Sequence, residues 1–256
     1  MRPPKPEFQK SKQTPVKRGF DLGLGAAALI LFSPVLLLFM LLVWLQDRKS
    51  PFYFAPRVGR EGKLFRMIKL RSMVTGADKS GVDSTAADDG RITAVGHRIR
   101  RYKLDELSQL INVVKGEMSL VGPRPNVARD VAKYTDAEKR LLSVKPGITD
   151  LASIVFADEG EILKGSPDPN GDYDRLIRPW KSRLALFYVE NASVPLDLRI
   201  LYLTALSIAS RQKALAQVSG LLEKHGANER LVTIARRDAQ LLPSVPPGFK
   251  AQAPAS

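Results

Sequence analysis

Asp105 and Glu106 are the residues best placed by type and spacing to do chemistry in this 256-residue chain. Neighbours on a helix stand about 100° apart, so both carboxylates can face one side while Leu104 and Leu107 face a core. Adjacent acids can divide work, one as nucleophile and the other holding a metal or positioning a group. A solvated acidic pair in a first helical turn, favoured by the helix dipole, is the bland alternative. The surroundings argue against it. Arg98, Arg100, Arg101 and Lys103 precede the pair, and Gly122-Pro123-Arg124-Pro125 follows it. An arginine between two prolines sits on stiff, extended backbone, and its planar fork suits bidentate contact with phosphate. Lys69 and Arg71, in IKLRSM, supply further cations. Carboxylates among cations are the makings of phosphoryl transfer, where metal ions and basic side chains neutralise phosphate charge.

Composition removes the main rivals. The chain has no cysteine, which excludes disulfide frameworks, thiolate zinc sites and a cysteine nucleophile. It has only two histidines, His97 and His225, too few for a multi-histidine metal centre. No G-x-S-x-G, P-loop or zinc spacing is present.

The elements that must position the pair begin with an apolar run. Leu22 to Leu45 is 24 residues without a charge, long enough to span a bilayer core of roughly 30 Å. Ser33-Pro34 sits at its centre. Proline lacks an N–H and clashes with the carbonyl four residues back, and serine can satisfy the carbonyl so freed. Both flanks are basic. Residues 1–20 carry six Lys or Arg against one acid, and residues 47–71 carry eight against two. A simple span concentrates positive charge on its cytoplasmic side. Two basic flanks instead predict a re-entrant helical hairpin, broken at Ser33-Pro34, that enters and leaves by one face and rests on anionic lipid. These flanks hold most of the formal +14 charge, so no nucleic-acid partner is expected. Gly23-Leu24-Gly25 opens a G-x-G-x-x-A pattern, but without a preceding strand it reads as helix packing.

Beyond the run, Phe52–Phe54 and Lys63–Leu70 predict a β-hairpin, and residues 75–91 a long polar loop. A helix is expected over 104–116 with Gly116 as its stop, and others over 126–142, 176–192 and 196–210. Residues 212–240 read as one or two amphipathic helices. The expected fold is α+β and mostly helical. It divides into a flexible basic N-terminus (1–15), a membrane hairpin (16–47), a catalytic domain (48–210) and a helical C-terminal extension (211–256). The extension's Pro-rich tail, from Pro243, is expected to be flexible.

Several motifs stand in a recognisable order: KRGFDLGLGAAALILFSPVLLL, FRMIKLRSM, DDGRITAVGHRIRRYKLDELSQLINVVKGEMSLVGPRP and KPGIT. Over residues 16–210 the chain resembles the bacterial sugar transferases, the monotopic phosphoglycosyl transferases. The resemblance implies transfer of a sugar-1-phosphate from a UDP-sugar to polyprenyl (undecaprenyl) phosphate, releasing UMP, on the cytoplasmic face of a bacterial inner membrane. It implies that Asp105 is the nucleophile of a covalent phosphosugar intermediate and that Glu106 holds Mg²⁺. Lys69, Arg100 and Arg124 would bind phosphates. Asp197, in PLDLRI, matches a further acidic position and is counted with the substrate-binding residues. Ser33 and Pro34 would form the hinge of the hairpin. After KPGIT the chain departs from the family with Asp150 and LASIVFADEGEIL, so the sugar is not carried over. A homo-oligomer is compatible with the helical tail. The rival reading is an inactive, membrane-anchored scaffold of a glycan-assembly complex.

Overall fold

The structure, a computed structural model, describes residues 14–77 and 89–249. Residues 1–13 and most of the polar 75–91 loop lie outside it, as does the tail after residue 249. The chain is mostly helical, with two small sheets.

Helix α1 (Pro15–Asp47) holds the whole apolar run. Thr14 caps it by accepting the Lys17 N–H, and Pro15 sits where a missing N–H costs nothing. The helix runs through Pro34 without interruption, so the two expected arms form one continuous element. Ser33 Oγ donates to the Ile30 carbonyl at 2.7 Å, the acceptor that Pro34 leaves without its usual donor. The buried residues of α1 are Lys17, Asp21, Gly25, Leu36 and Val43, a narrow stripe along an otherwise exposed apolar cylinder. On the rest of the cylinder, Ile30 and Leu31 are 74% and 72% exposed.

That stripe docks α1 along its length. Its first half meets α3 (Gln109–Lys115), where Gly25 lets Val113 approach and the Arg18 guanidinium donates to the Val113 and Val114 carbonyls, each at 2.7 Å. Its second half packs Leu36 and Val43 against Leu70 and Ile99. At the far end Asp47 pairs with Arg71.

The expected hairpin is β1 (Phe52–Val58) against β2 (Leu64–Leu70), antiparallel, with Tyr53 opposite Lys69 and Arg57 opposite Phe65. Helix α2 (Ala94–Arg101) follows, then a single 3₁₀ turn, Leu104–Glu106. The predicted 104–116 helix is thus a 3₁₀ turn joined to α3, and Gly116 ends it with φ +85°, as a left-handed cap requires. Strands β3 (Ser119–Val121) and β4 (Gly147–Thr149) form a parallel pair. The segment expected as one helix over 126–142 is instead two single-turn helices, Ala128–Val131 and Asp136–Lys139, and a 3₁₀ turn.

The remaining longer helices are α4 (Leu151–Val155), α5 (Arg178–Asn191), α6 (Val194–Ala209), α7 (Arg211–Lys224) and α8 (Glu229–Arg236). Trp180, Leu184, Ile200, Leu203, Val218 and Leu222 share one core with Met118 and Leu151. The C-terminal helices therefore pack into the same core as the residues before them. The expected flexible tail is pinned over its described part. Ser244 N donates to Arg175 O, Arg183 donates to Val245 O, and the Thr135 hydroxyl donates to Pro247 O.

A buried charge cluster joins α1 to this core. Lys17 Nζ lies 3.0 Å from Asp21 Oδ1 and 2.7 Å from Asp197 Oδ2. The Ser119 hydroxyl and Leu120 N–H donate to Asp21, and Tyr188 OH donates to Asp197 at 2.7 Å. Burial pushes the Asp197 carboxyl up, and Lys17 is the main influence opposing it. Removing one member of a buried ion cluster strands the others and costs about 3–5 kcal/mol. Lys17→Met should therefore lower the denaturation midpoint in detergent sharply. Adding Asp21→Asn to it should restore part of the loss. An unchanged midpoint for Lys17→Met would show that the cluster does not hold the helix.

Candidate active site

Asp105 and Glu106 stand in the 3₁₀ turn between α2 and α3. Lys103, at φ +52°, follows α2 and redirects the chain so that the turn faces β2. Both carboxylates are partly exposed, with side chains 20% and 28% accessible. Lys69 Nζ lies 4.0 Å from Asp105 Oδ2. Arg124 Nη2 donates to Glu106 Oε1 at 2.9 Å, and its Nη1 donates to the Ile148 carbonyl at 2.8 Å. Each of the two adjacent carboxylates is thus paired with its own cation.

Three local devices set this spacing. The first is the free edge of β2, which is satisfied by α3 instead of a third strand. Ile68 N–H donates to Asn112 Oδ1 at 2.9 Å, and Asn112 Nδ2 donates to Arg66 O at 2.9 Å. The second is the Ser108 hydroxyl, 3.0 Å from both the Ile68 and the Asp105 carbonyls. Ser108 and Asn112 are fully buried. One hydroxyl thus bridges the residue before Lys69 to Asp105 itself. The third is the contact between GPRP and KPGIT. Gly122 N donates to Thr149 O and Gly147 N to Pro123 O, and a Cβ on Gly147 would meet Gly122 N at 2.1 Å. Only glycine permits that approach, and it brings the Ile148 carbonyl under Arg124.

Electrostatics reinforce the geometry. Burial pushes the Asp105 carboxyl up, and the Lys69 ammonium is the main influence holding it down. Burial likewise lowers Lys69, and Asp105 opposes that. Behind Arg124, Asp150 caps α4 by accepting the Ser153 N–H at 2.7 Å; burial raises its carboxyl, and Arg124 works against that rise.

Arg100 is half-buried and lowers Asp105 electrostatically, while Arg98, Arg101 and Lys103 remain exposed. Asp197 is not brought to the dyad. It has no accessible surface, and its partners are Lys17 and Tyr188, so it serves the attachment of α1. Among the described residues no three His, Asp or Glu side chains gather as metal ligands. Mg²⁺ is usually held by one or two carboxylates together with substrate phosphates, and Glu106 is the carboxylate here that could serve in that way.

A family model described as bacterial sugar transferase matches residues 12–211. The chain belongs to the bacterial sugar transferase family. It is 36% identical over 217 residues to the undecaprenyl-phosphate galactose phosphotransferase of Salmonella typhimurium, covering 78% of this chain and 41% of that protein. It is 34% identical over 215 residues to the UDP-galactose-lipid carrier transferase of Erwinia amylovora, covering 78% and 41%. It is also 39% identical over 153 residues to the exopolysaccharide production protein ExoY of Rhizobium meliloti, covering 54% and 68%. The chain thus spans about two fifths of the two longer relatives.

At this site, sequence reasoning missed Arg57, which interacts electrostatically with both Lys69 and Arg124. It counted Arg57 only as part of a basic flank, although the two-residue strand period puts Arg57 and Tyr53 on one face, with Lys69 opposite Tyr53. It also gave no role to Ser108 or Asn112.

The pH dependence of activity has a determinate sign. Were Asp105 to act as an ionised nucleophile, it would need a pH above its raised pKa, and the acid limb of kcat/KM should then lie above the ordinary aspartate value of about 3.9. Lys69→Met removes the cation that holds Asp105 down and should move that limb to higher pH as well as reduce the rate. A limb that stays in place would separate Lys69 from the titration of Asp105.

Proposed function

We propose that this protein transfers a sugar-1-phosphate from a UDP-sugar to undecaprenyl phosphate, releasing UMP, at the start of exopolysaccharide or related glycan synthesis. The observation that carries this reading is Asp105 beside Lys69 at 4.0 Å, next to the Glu106–Arg124 pair. Family membership and the names of the relatives support the substrate classes.

In the first step a carboxylate oxygen of Asp105 attacks the phosphorus that bears the sugar. The bond from that phosphorus to the bridging oxygen breaks, and UMP departs with the electron pair. In the second step a phosphate oxygen of the lipid acceptor attacks the same phosphorus and Asp105 leaves as a free carboxylate. No external oxidant or proton donor is required. Lys69 keeps Asp105 ionised and offsets phosphate charge at the nucleophile. Arg124, anchored on the Ile148 carbonyl, offsets it at Glu106. Glu106, with the substrate phosphates, would hold Mg²⁺, which neutralises phosphate charge when bound.

The membrane reading rests on the docking of α1. A straight helix of this length measures roughly 50 Å, yet Lys17 and Arg18 near one end and Asp47 at the other all bind the same domain. This supports a re-entrant α1 with both ends on the cytoplasmic face, Ser33 and Pro34 easing its bend within the lipid.

Incubation of the detergent-purified protein with UDP-sugars and Mg²⁺, without acceptor, should add one sugar-phosphate to the intact mass. Asp105→Asn should not gain it and should lose turnover by several orders of magnitude. Wild-type turnover in that variant would overturn the nucleophile. No adduct and no turnover with any donor would favour the scaffold reading. Because the chain lacks cysteine, topology can be read from Thr14→Cys and Lys49→Cys. Both should react with an impermeant thiol reagent in inside-out vesicles and neither in intact spheroplasts. Opposite sidedness would make α1 a simple span.

A further inference from the structure

Among the described residues, two arginines at the transferase site, Arg100 beside Asp105 and Arg57 beside the Arg124 loop, have no carboxylate bonded to them. Lys69 faces Asp105, and Arg124 is bonded to Glu106. Arg57 makes no ion pair among the described residues. Its guanidinium donates to the Pro56 carbonyl, at 2.8 Å, and Asp130 attracts it only through space. Its position follows from the register of the hairpin. Tyr53, Ala55 and Arg57 alternate onto one face of β1, opposite Lys69, Met67 and Phe65 of β2. Ala55 and Met67 belong to the main core, whereas Leu70, on the opposite face, is buried against α1, so this face is the one turned toward the main core. Arg57 and Lys69 therefore lie on the same face, with their anchor points about 13 Å apart along the strands. The strand end beside Arg57 is fixed to the arginine loop, since Val58 N–H donates to Asn126 O at 3.0 Å. Arg57 and Arg124 repel each other electrostatically, as neighbours of like charge do.

The two ends of this row of cations differ in surroundings. Lys69 and Asp105 stand at the end of the hairpin nearer α1, since Leu70 and Leu104, next to them in sequence and pointing away from them, pack with Leu36 and Val43 of that helix. On the proposed reaction, a lipid-borne acceptor would reach the site from that end. Arg57 stands at the other end, beside the loop that carries Arg124 and away from the apolar helix. A guanidinium left without a bonded carboxylate in a half-buried site is suited to a phosphate dianion.

We infer that Arg57 receives the phosphate of the departing nucleoside monophosphate, stabilising the charge that develops on it as the sugar-bearing phosphorus passes to Asp105. This rests on the proposed transfer reaction and adds an orientation to it. The sugar-phosphate lies at Lys69 and Asp105, and the nucleotide lies across Arg124 toward Arg57. Arg57 takes no part in the second step, because the nucleotide has left by then.

The two half-reactions separate the possibilities. Donor is mixed with enzyme without acceptor, and adduct formation is followed by intact mass under single-turnover conditions. Loaded enzyme is then freed of nucleotide and discharged with undecaprenyl phosphate. Arg57→Ala should slow formation by roughly 100-fold, the scale of removing one charge-stabilising donor. It should leave discharge within about 3-fold of wild type, as expected for a group unused in that step. UMP binding, measured by calorimetry, should weaken by about tenfold or more. Arg57→Lys, which keeps the charge and the strand but loses the planar fork, should fall between. Discharge slowed as much as formation in both variants would assign Arg57 to the acceptor or to the fold and overturn the inference. So would unchanged affinity for UMP. UMP affinity requires no covalent step. An Arg57-dependent affinity without any wild-type adduct would overturn the Asp105 step and leave the assignment of Arg57 standing.

Discussion

A lysine buried between two aspartates is the interaction on which the arrangement of this protein depends. Lys17 belongs to the apolar helix, Asp21 stands one turn further along it, and Asp197 comes from α6. Charges removed from water are costly unless every one is paired and hydrogen-bonded. Here Ser119, Leu120 and Tyr188 complete the pairing. The cluster therefore specifies one docking of α1 and rejects a register shifted by a residue, which would bury charge against carbon. Ser119 begins β3, the strand that leads directly into the loop carrying Arg124. The anchor and the site are thus joined through very few covalent links.

The site itself is built by satisfying backbone groups with side chains. A two-stranded hairpin leaves an edge of unpaired N–H and C=O groups. Asn112 and Ser108 cover that edge, and the same contacts fix Lys69 relative to Asp105. Gly122 and Gly147 do the corresponding job on the other side, where backbone touches backbone and Arg124 is held by a main-chain carbonyl. The backbone beneath Lys69, Asp105 and Arg124 is therefore fixed by hydrogen bonds between neutral groups.

Much of this was legible in the chain. The dyad stood out because two acids interrupt a run of basic residues, and the hairpin and the larger helices followed from period and turn residues. Gly116 marked the end of α3 correctly. What stayed hidden depended on distance through space. Strands of three residues, such as β3 and β4, are too short to show a period, so the meeting of GPRP with KPGIT left no local signal. Asp197 looks like any acid near a helix start, and nothing local to it announces a lysine from the far end of the chain. Arg57 was lost in a basic stretch whose charge suits lipid equally well. The segment after Pro243 has the composition of a loose tail, yet it is tied down through backbone atoms whose partners composition does not encode.

The Lys17 cluster also orders events during synthesis. Helix α1 is made first, whereas Asp197 and Tyr188 emerge only after most of the domain. At roughly 5–20 residues per second the interval is on the order of ten seconds or more. Through that interval the lysine has only Asp21 for company, four residues away on the same helix, a spacing that allows the two to neutralise each other before any tertiary structure exists. The nascent helix can therefore form with this pair nearly neutral. It exchanges that temporary partnership for the shared one when α6 arrives, so completion of the domain and final seating of its anchor become a single late step.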